Sequence, residues 1–168
     1  VKPGSGRFDM KRKADEIYAG LNLGYSFNGL APDMGAKEKY NVYYVKPSGN
    51  DNQDGRSLAT AWLTIDNGDS LLYPGDTVCV RPGTYTDSVV ISDSGLIDDR
   101  IVYQGVRDST LLDASGISEG VIILGSYITW TGISVKNASL SNIKDDGSSN
   151  LIRMCHIESA NSYGIEVD

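Results

Sequence analysis

Basic residues are scarce in this sequence: only 15 of its 168 residues are Lys or Arg, against 22 Asp or Glu, for a formal net charge of −7. Nucleic-acid binding draws most of its affinity from clustered Lys and Arg, so nucleic acid is not an expected partner. Cysteine occurs only at Cys79 and Cys155, too few for a disulfide scaffold, and both are expected to be free and buried. No apolar run reaches membrane-spanning length, so no membrane span is expected. The one histidine, His156, has no second histidine and no nucleophile partner. Its neighbour Cys155 should point to the opposite face of a strand, which argues against a catalytic dyad and for a structural role.

What is abundant is turn and strand chemistry. Nineteen glycines and ten tyrosines, with many Ser, Asn, Asp and Thr, predict short strands joined by turns. Charge divides the chain: residues 1–39 hold seven basic and five acidic residues, leaving eight basic and seventeen acidic for the rest. An acidic body of this kind would meet an acidic polysaccharide only through bridging cations, calcium being the hard cation that suits carboxylates. The first residue is Val rather than Met, which fits a removed leader or a start inside a longer protein, and either fits an extracellular or cell-surface location.

Residues 1–40 read as an N-terminal arm or linker, with a short helix predicted from Met10 to Leu21 after an Asp9 N-cap. From residue 41 to 168 the texture is strand-like: VYYV at 42–45, DTVCV at 76–80, SVVI at 88–91, RIVY at 100–103, GVIIL at 120–124, YITWTGISV at 127–135 and NLIRMCHI at 150–157. Turn formers separate these runs. The stretch Trp62 to Leu72 has helix-like spacing but contains Asn67-Gly68, and is expected to be a poor helix or a loop.

A repeat decides the architecture. At a spacing of 24, Ile128 meets Ile152, Trp130 meets Met154, Ile133 meets Ile157 and Asn137 meets Asn161. A second series, Val121, Ile143 and Ile165, runs at a spacing of 22. Both are the length of one solenoid coil. The fold expected is therefore all-β, a right-handed parallel β-helix in which inward side chains of successive coils stack: Ile over Ile at 128/152 and 133/157, and an amide ladder from Asn137 to Asn161. Such a solenoid exposes its last coil unless something covers it.

Three segments carry a family resemblance: YYVKPSGNDNQDG (43–55), ATAWLTI (59–65) and YPGDTVCVRPGTYTDSVVIS (73–92). They resemble the N-terminal segment of pectate-lyase-like β-helical proteins, above all family nine polysaccharide lyases, and RIVYQGVRDSTLLDASG (100–116) and YITWTGISVKNA (127–138) continue the likeness. The resemblance implies an Ala-x-Trp-x-Thr-Ile cap helix, β-elimination of acidic polysaccharide and calcium as cofactor. It also implies that the calcium-binding aspartates and the catalytic lysine lie in coils beyond residue 168. The first such aspartate would fall near Ser162, where there is no carboxylate, so no catalytic residue carries over and the chain alone is expected to be inactive.

Among residues present, Asp145, Asp146 and Asp168 come nearest to a hard-cation site, Asp146 and Asp168 being 22 apart. Solvated turn aspartates are the simpler reading, with Lys144 a charge partner. Asp51 and Asp54 in SGNDNQDG are expected to make Asx turns. Tyr43, Tyr44, Tyr103, Tyr127, Trp130 and Tyr163 would serve as sugar platforms where they face outward, and Trp130 is expected in the core. The sequence thus supports a carbohydrate-active β-helix partnered by acidic polysaccharide. Its rival is a structural protein that contacts copies of itself through the open C-terminal coil and the N-terminal arm, forming filaments or a surface layer.

Overall fold

The computed structural model describes residues 40–158 and 160–167, within one compact unit. The helix expected at 10–21 and the carboxylate of Asp168 lie outside the described residues. Thirteen short strands form the body: β1 (Val42–Val45), β2 (Thr77–Val80), β3 (Gly83–Tyr85), β4 (Val89–Ile91), β5 (Ile101–Gln104), β6 (Thr110–Asp113), β7 (Glu119–Ile123), β8 (Ile128–Thr131), β9 (Ser134–Lys136), β10 (Ser141–Asp145), β11 (Leu151–Arg153), β12 (Ile157–Glu158) and β13 (Tyr163–Val167). All the pairings are parallel and build three sheets, in the orders β1-β2-β5-β8-β11, β3-β6-β9-β12 and β4-β7-β10-β13. From β2 onward each coil gives one strand to each sheet, which makes the fold a right-handed parallel β-helix of about four turns, as the sequence predicts.

Alternation along each strand sends one set of side chains inward, where β-branched and aromatic residues stack in columns. Tyr43, Val78, Tyr103, Trp130 and Ile152 form one column on the first sheet. Tyr85, Leu112, Val135 and Ile157 form the column of the second. Val89, Val121, Ile143 and Ile165 form that of the third, bearing out the series read at a spacing of 22. Trp130 is fully buried, and its ring lies 5.8 Å from that of Tyr103, whose hydroxyl burial pushes up in pKa.

The register of the other series is corrected by two residues. Ile152 stacks on Trp130 rather than on Ile128, and Ile157 on Val135 rather than on Ile133; Ile128 stacks on Ile101. The last coil is 22 residues throughout, so the spacing of 24 overshoots by one pleat. A slip of two preserves which face each side chain occupies, so the inward assignment survives while the partners change. At the corner between the first two sheets, Gly132 has φ 69° and Met154, 22 residues later, has φ 54°. Met154 therefore occupies the left-handed corner position, exposed, instead of extending the Trp130 column. The amide ladder falls with the register: Asn137 Nδ2 donates to Asp113 Oδ1 at 2.9 Å, while the backbone N–H of Asn161 donates to Ala138 O. The buried corner amide is instead Asn142, which accepts from Ala138 N at 3.1 Å and donates to Glu158 O at 2.9 Å.

Candidate functional sites on the cap and on the third sheet

The N-terminal end of the helix is closed by the segment between β1 and β2. The N–H groups of Tyr44 and Lys46 donate to Gly55 O and Trp62 O, and Trp62 N donates to Tyr44 O, so the outer edge of β1 is occupied. The expected poor helix is a single 3-10 turn, Asp66–Gly68, preceded by the buried Trp62 and Ile65 and followed by the buried Leu72. Carboxylates tie it to the first full coil in both directions. Asp66 Oδ1 accepts from Val90 N and Asp69 Oδ1 from Ser92 N, each at 2.7 Å. In return Asp87 Oδ2 accepts from Ile65 N at 2.8 Å and Asp93 Oδ2 from Leu72 N at 2.9 Å. The bond to Val90 occupies a donor of β4, the edge strand of the third sheet, that an uncapped edge would leave unpaired, and the others pair backbone donors of the cap and of the end of β4. Burial raises the pKa of Asp87 and Asp93, against the lowering effect of the N–H groups they accept from.

Trp62 is the keystone of this cap. Its ring stacks on Tyr43 at 4.8 Å and 15°, and Nε1 donates to Gln53 O at 2.9 Å. Gly55, at φ 68°, lies against the indole so closely that a Cβ there would stand 2.4 Å from Cε2; a Cβ on Gly68 would stand 3.3 Å from Cζ3. The two loops resting on Trp62 leave a cleft of about 420 Å³ between them, with Arg56 above the Tyr43 ring at 5.2 Å and Tyr73 half exposed at its edge. Asp54 Oδ1 accepts from Arg56 N, the expected Asx turn, whereas Asp51 accepts instead from the N–H groups of Leu63 and Thr64 and from the Thr64 hydroxyl, tying its loop to the segment after Trp62. Tyr73 and Arg56 carried no role in the sequence reading, because nothing in their spacing shows that two loops converge on one tryptophan.

Of the carboxylates read as a cation site, the two that are described, Asp145 and Asp146, do not converge. Asp145 faces inward in the column Ile91, Ile123, Asp145 and Val167, is buried, and accepts from Asn150 Nδ2 at 2.7 Å and Gly147 N at 3.2 Å. Asp146 is on the surface, paired with Lys144 at 2.7 Å. Consecutive residues on opposite sides of the sheet cannot share an ion. Among the described residues no group of three His, Cys, Asp or Glu could hold a metal. Around Lys144, the outer face of the third sheet also carries Glu166, its register partner, and Ser141, whose hydroxyl donates to Glu166 Oε2 at 2.5 Å.

On the second sheet, Asp113, Lys136 and Glu158 stand in register as an alternating charge ladder, Lys136 lying 3.6 Å from Asp113. Hydrogen bonds from the Ser115 hydroxyl and the Asn137 amide, with Lys136 nearby, hold the Asp113 pKa down to about 2. His156 is exposed, and its backbone N–H donates to Ser134 Oγ at 3.1 Å. Cys79 and Cys155 are free but half-buried rather than buried, and partial burial raises both thiol pKa values. Of the tyrosines read as sugar platforms, Tyr43 and Tyr103 are buried, Tyr44 and Tyr127 half-buried and Tyr163 exposed.

No family model matches the sequence, and no curated protein matches it. Solved structures do. The fold is similar to that of pectate lyase Pel9A, with a TM-score of 0.69 and 21% identity over 91% of this chain and 39% of that one. It is also similar to a GH136 lacto-N-biosidase from Eubacterium ramulus (TM-score 0.56, 14% identity, 67% of this chain and 27% of that one). A rhamnogalacturonan lyase gives a TM-score of 0.54 at 17% identity, over 64% of this chain and 34% of that one. The pectate-lyase-like β-helix is thereby borne out as a fold. This chain spans between about a quarter and two fifths of the length of these proteins.

Proposed function

We propose that this chain forms the capped N-terminal portion of an extracellular carbohydrate-active β-helix protein, related to pectate lyases, that cleaves acidic polysaccharide by β-elimination. The observation that carries the reading is the likeness to pectate lyase Pel9A over 91% of the chain, together with the polarity of the solenoid. One end is sealed by Trp62 and the carboxylate stitches, whereas the last coil presents exposed Ile165 and Val167 and half-buried Ile152 and Ile157 at the ends of the inward columns. That end is suited to receive further coils. β-Elimination needs an acidified uronate and a basic residue to take the α-proton. Here Lys144 is ion-paired with Asp146. The base and the calcium site are accordingly assigned to residues beyond those described.

The test is the full-length protein on polygalacturonate with calcium, followed by the ultraviolet absorbance of unsaturated product. Calcium-dependent product from the full-length protein, and none from residues 1–168 alone, is expected. A full-length protein inert on acidic glycans would overturn the reading. Self-assembly is the second reading, and the cap bears on its geometry: stacking one copy's last coil on another's first is opposed by the occupied β1 edge, so contact between two open ends remains.

A further inference from the structure

We propose that the cleft on the N-terminal cap is a saccharide-binding site that takes neutral sugar, separate from any catalytic face of the sheets. Its volume of about 420 Å³ falls within the range of roughly 300–1,000 Å³ typical of small-ligand sites. Its floor is rigid: Tyr43 and Trp62 are stacked and buried, and the two glycines pressed on the indole fix the loops that form the walls. One wall carries Asp54 and Arg56, the other Asn67, Ser70 and Tyr73. That is one half-exposed aromatic face surrounded by amide, hydroxyl, carboxylate and guanidinium groups, the combination that stacks on the apolar face of a pyranose and bonds its hydroxyls.

Charge selects the class of sugar. Two carboxylates, Asp51 and Asp54, line the cleft against one cation, Arg56. The Arg56 guanidinium is also partly committed, donating to Asn41 Oδ1 at 2.7 Å and to the Tyr43 hydroxyl at 3.3 Å. A uronate carboxylate would meet net negative charge on a protein that is itself acidic, whereas a neutral hexose would meet only hydrogen-bonding groups. The site does not depend on the lyase reading, because it is read by binding and not by turnover.

The experiment is an NMR titration of the 168-residue chain with neutral galacto-oligosaccharides and, separately, with oligogalacturonate. Saturable shifts confined to the backbone amides of residues 51–56 and 67–73, produced by the neutral probe, are expected. Tyr73→Ala should weaken that binding about tenfold, and Arg56→Gln should weaken it less, with the thermal melt unchanged because both side chains lie at the surface. Thr84→Ala, outside the cleft, should leave the affinity unchanged. Absence of saturable shifts in the cleft, affinity that Tyr73→Ala leaves untouched, or tighter binding of the acidic probe would each overturn the proposal.

Discussion

The two ends of the solenoid are made of the same repeating coil, yet the inward columns are covered at one and exposed at the other. At the N-terminal end, the columns beginning at Tyr43 and Val45 are covered by Trp62, Ile65 and Leu72, and these core residues are at most 5% exposed. At the C-terminal end, the columns finish at Ile165 and Val167, which are 44% and 69% exposed. The difference lies in the irregular chain laid over the first coil and not in strand propensity. A parallel coil cannot satisfy its own outer edge, so closure must come from non-repeating sequence, here Trp62 and a set of aspartates used as acceptors for strand N–H groups.

The sharpest way to break the closed end is Trp62→Ala. It removes the ring on which both cap loops rest, and should cost about 3–5 kcal/mol in urea unfolding. A loss under about 1 kcal/mol would mean that the cap is not seated on this residue.

One column then compares the middle of the helix with its open end. Ile143→Ala, fully buried, should cost about 2–4 kcal/mol, whereas Ile165→Ala, next in the same column, should cost about 0.5 kcal/mol. Equal losses would show that the last coil is covered in solution, and light scattering on the same samples would tell whether a second copy covers it.

A third comparison sharpens the role of the stitching carboxylates. Asp87→Ala leaves the N–H groups of Ile65 and Asp66 without their acceptor and should cost about 1–3 kcal/mol. Because burial raises the folded-state pKa of Asp87 above its unfolded value, the stability linked to its protonation is fully present below the ordinary carboxylate range and is lost as pH rises through the folded value. The melting temperature of the native chain relative to Asp87→Asn should therefore fall as pH rises above the ordinary carboxylate range. Asp113 acts in the opposite sense: its depressed pKa contributes stability above the usual aspartate range that is lost as pH falls towards about 2. A rise in relative melting temperature with pH would contradict the burial of Asp87.

What the sequence disclosed follows the same division. Inward positions in the repeating part were legible because β-branched residues alternate: Val121, Ile143 and Ile165 carry both the face and the register. Trp130 and Met154 misled because both are large and apolar, although the corner before β9 requires a left-handed residue and places Met154 opposite Gly132. The cap was illegible beyond its turns. Asp66, Asp69, Asp87 and Asp93 look like ordinary turn formers, and their use as acceptors across 21 to 24 residues depends on how the coils stack. Asp146 and Asp168 were grouped by their spacing of 22 and Asp145 by adjacency, while the pleat sends Asp145 inward to Asn150.

The contrast between the ends is tested most directly by native-state hydrogen exchange along the three sheets. Expected are opening free energies that are high for the paired amides of β2, β5, β8 and β10, nearly as high for the cap-bonded amides of Trp62 and Val90, and lowest in β11, β12 and β13. Amides of β13 as slow to exchange as those of β8, or a Trp62 amide as fast as an exposed turn, would contradict it.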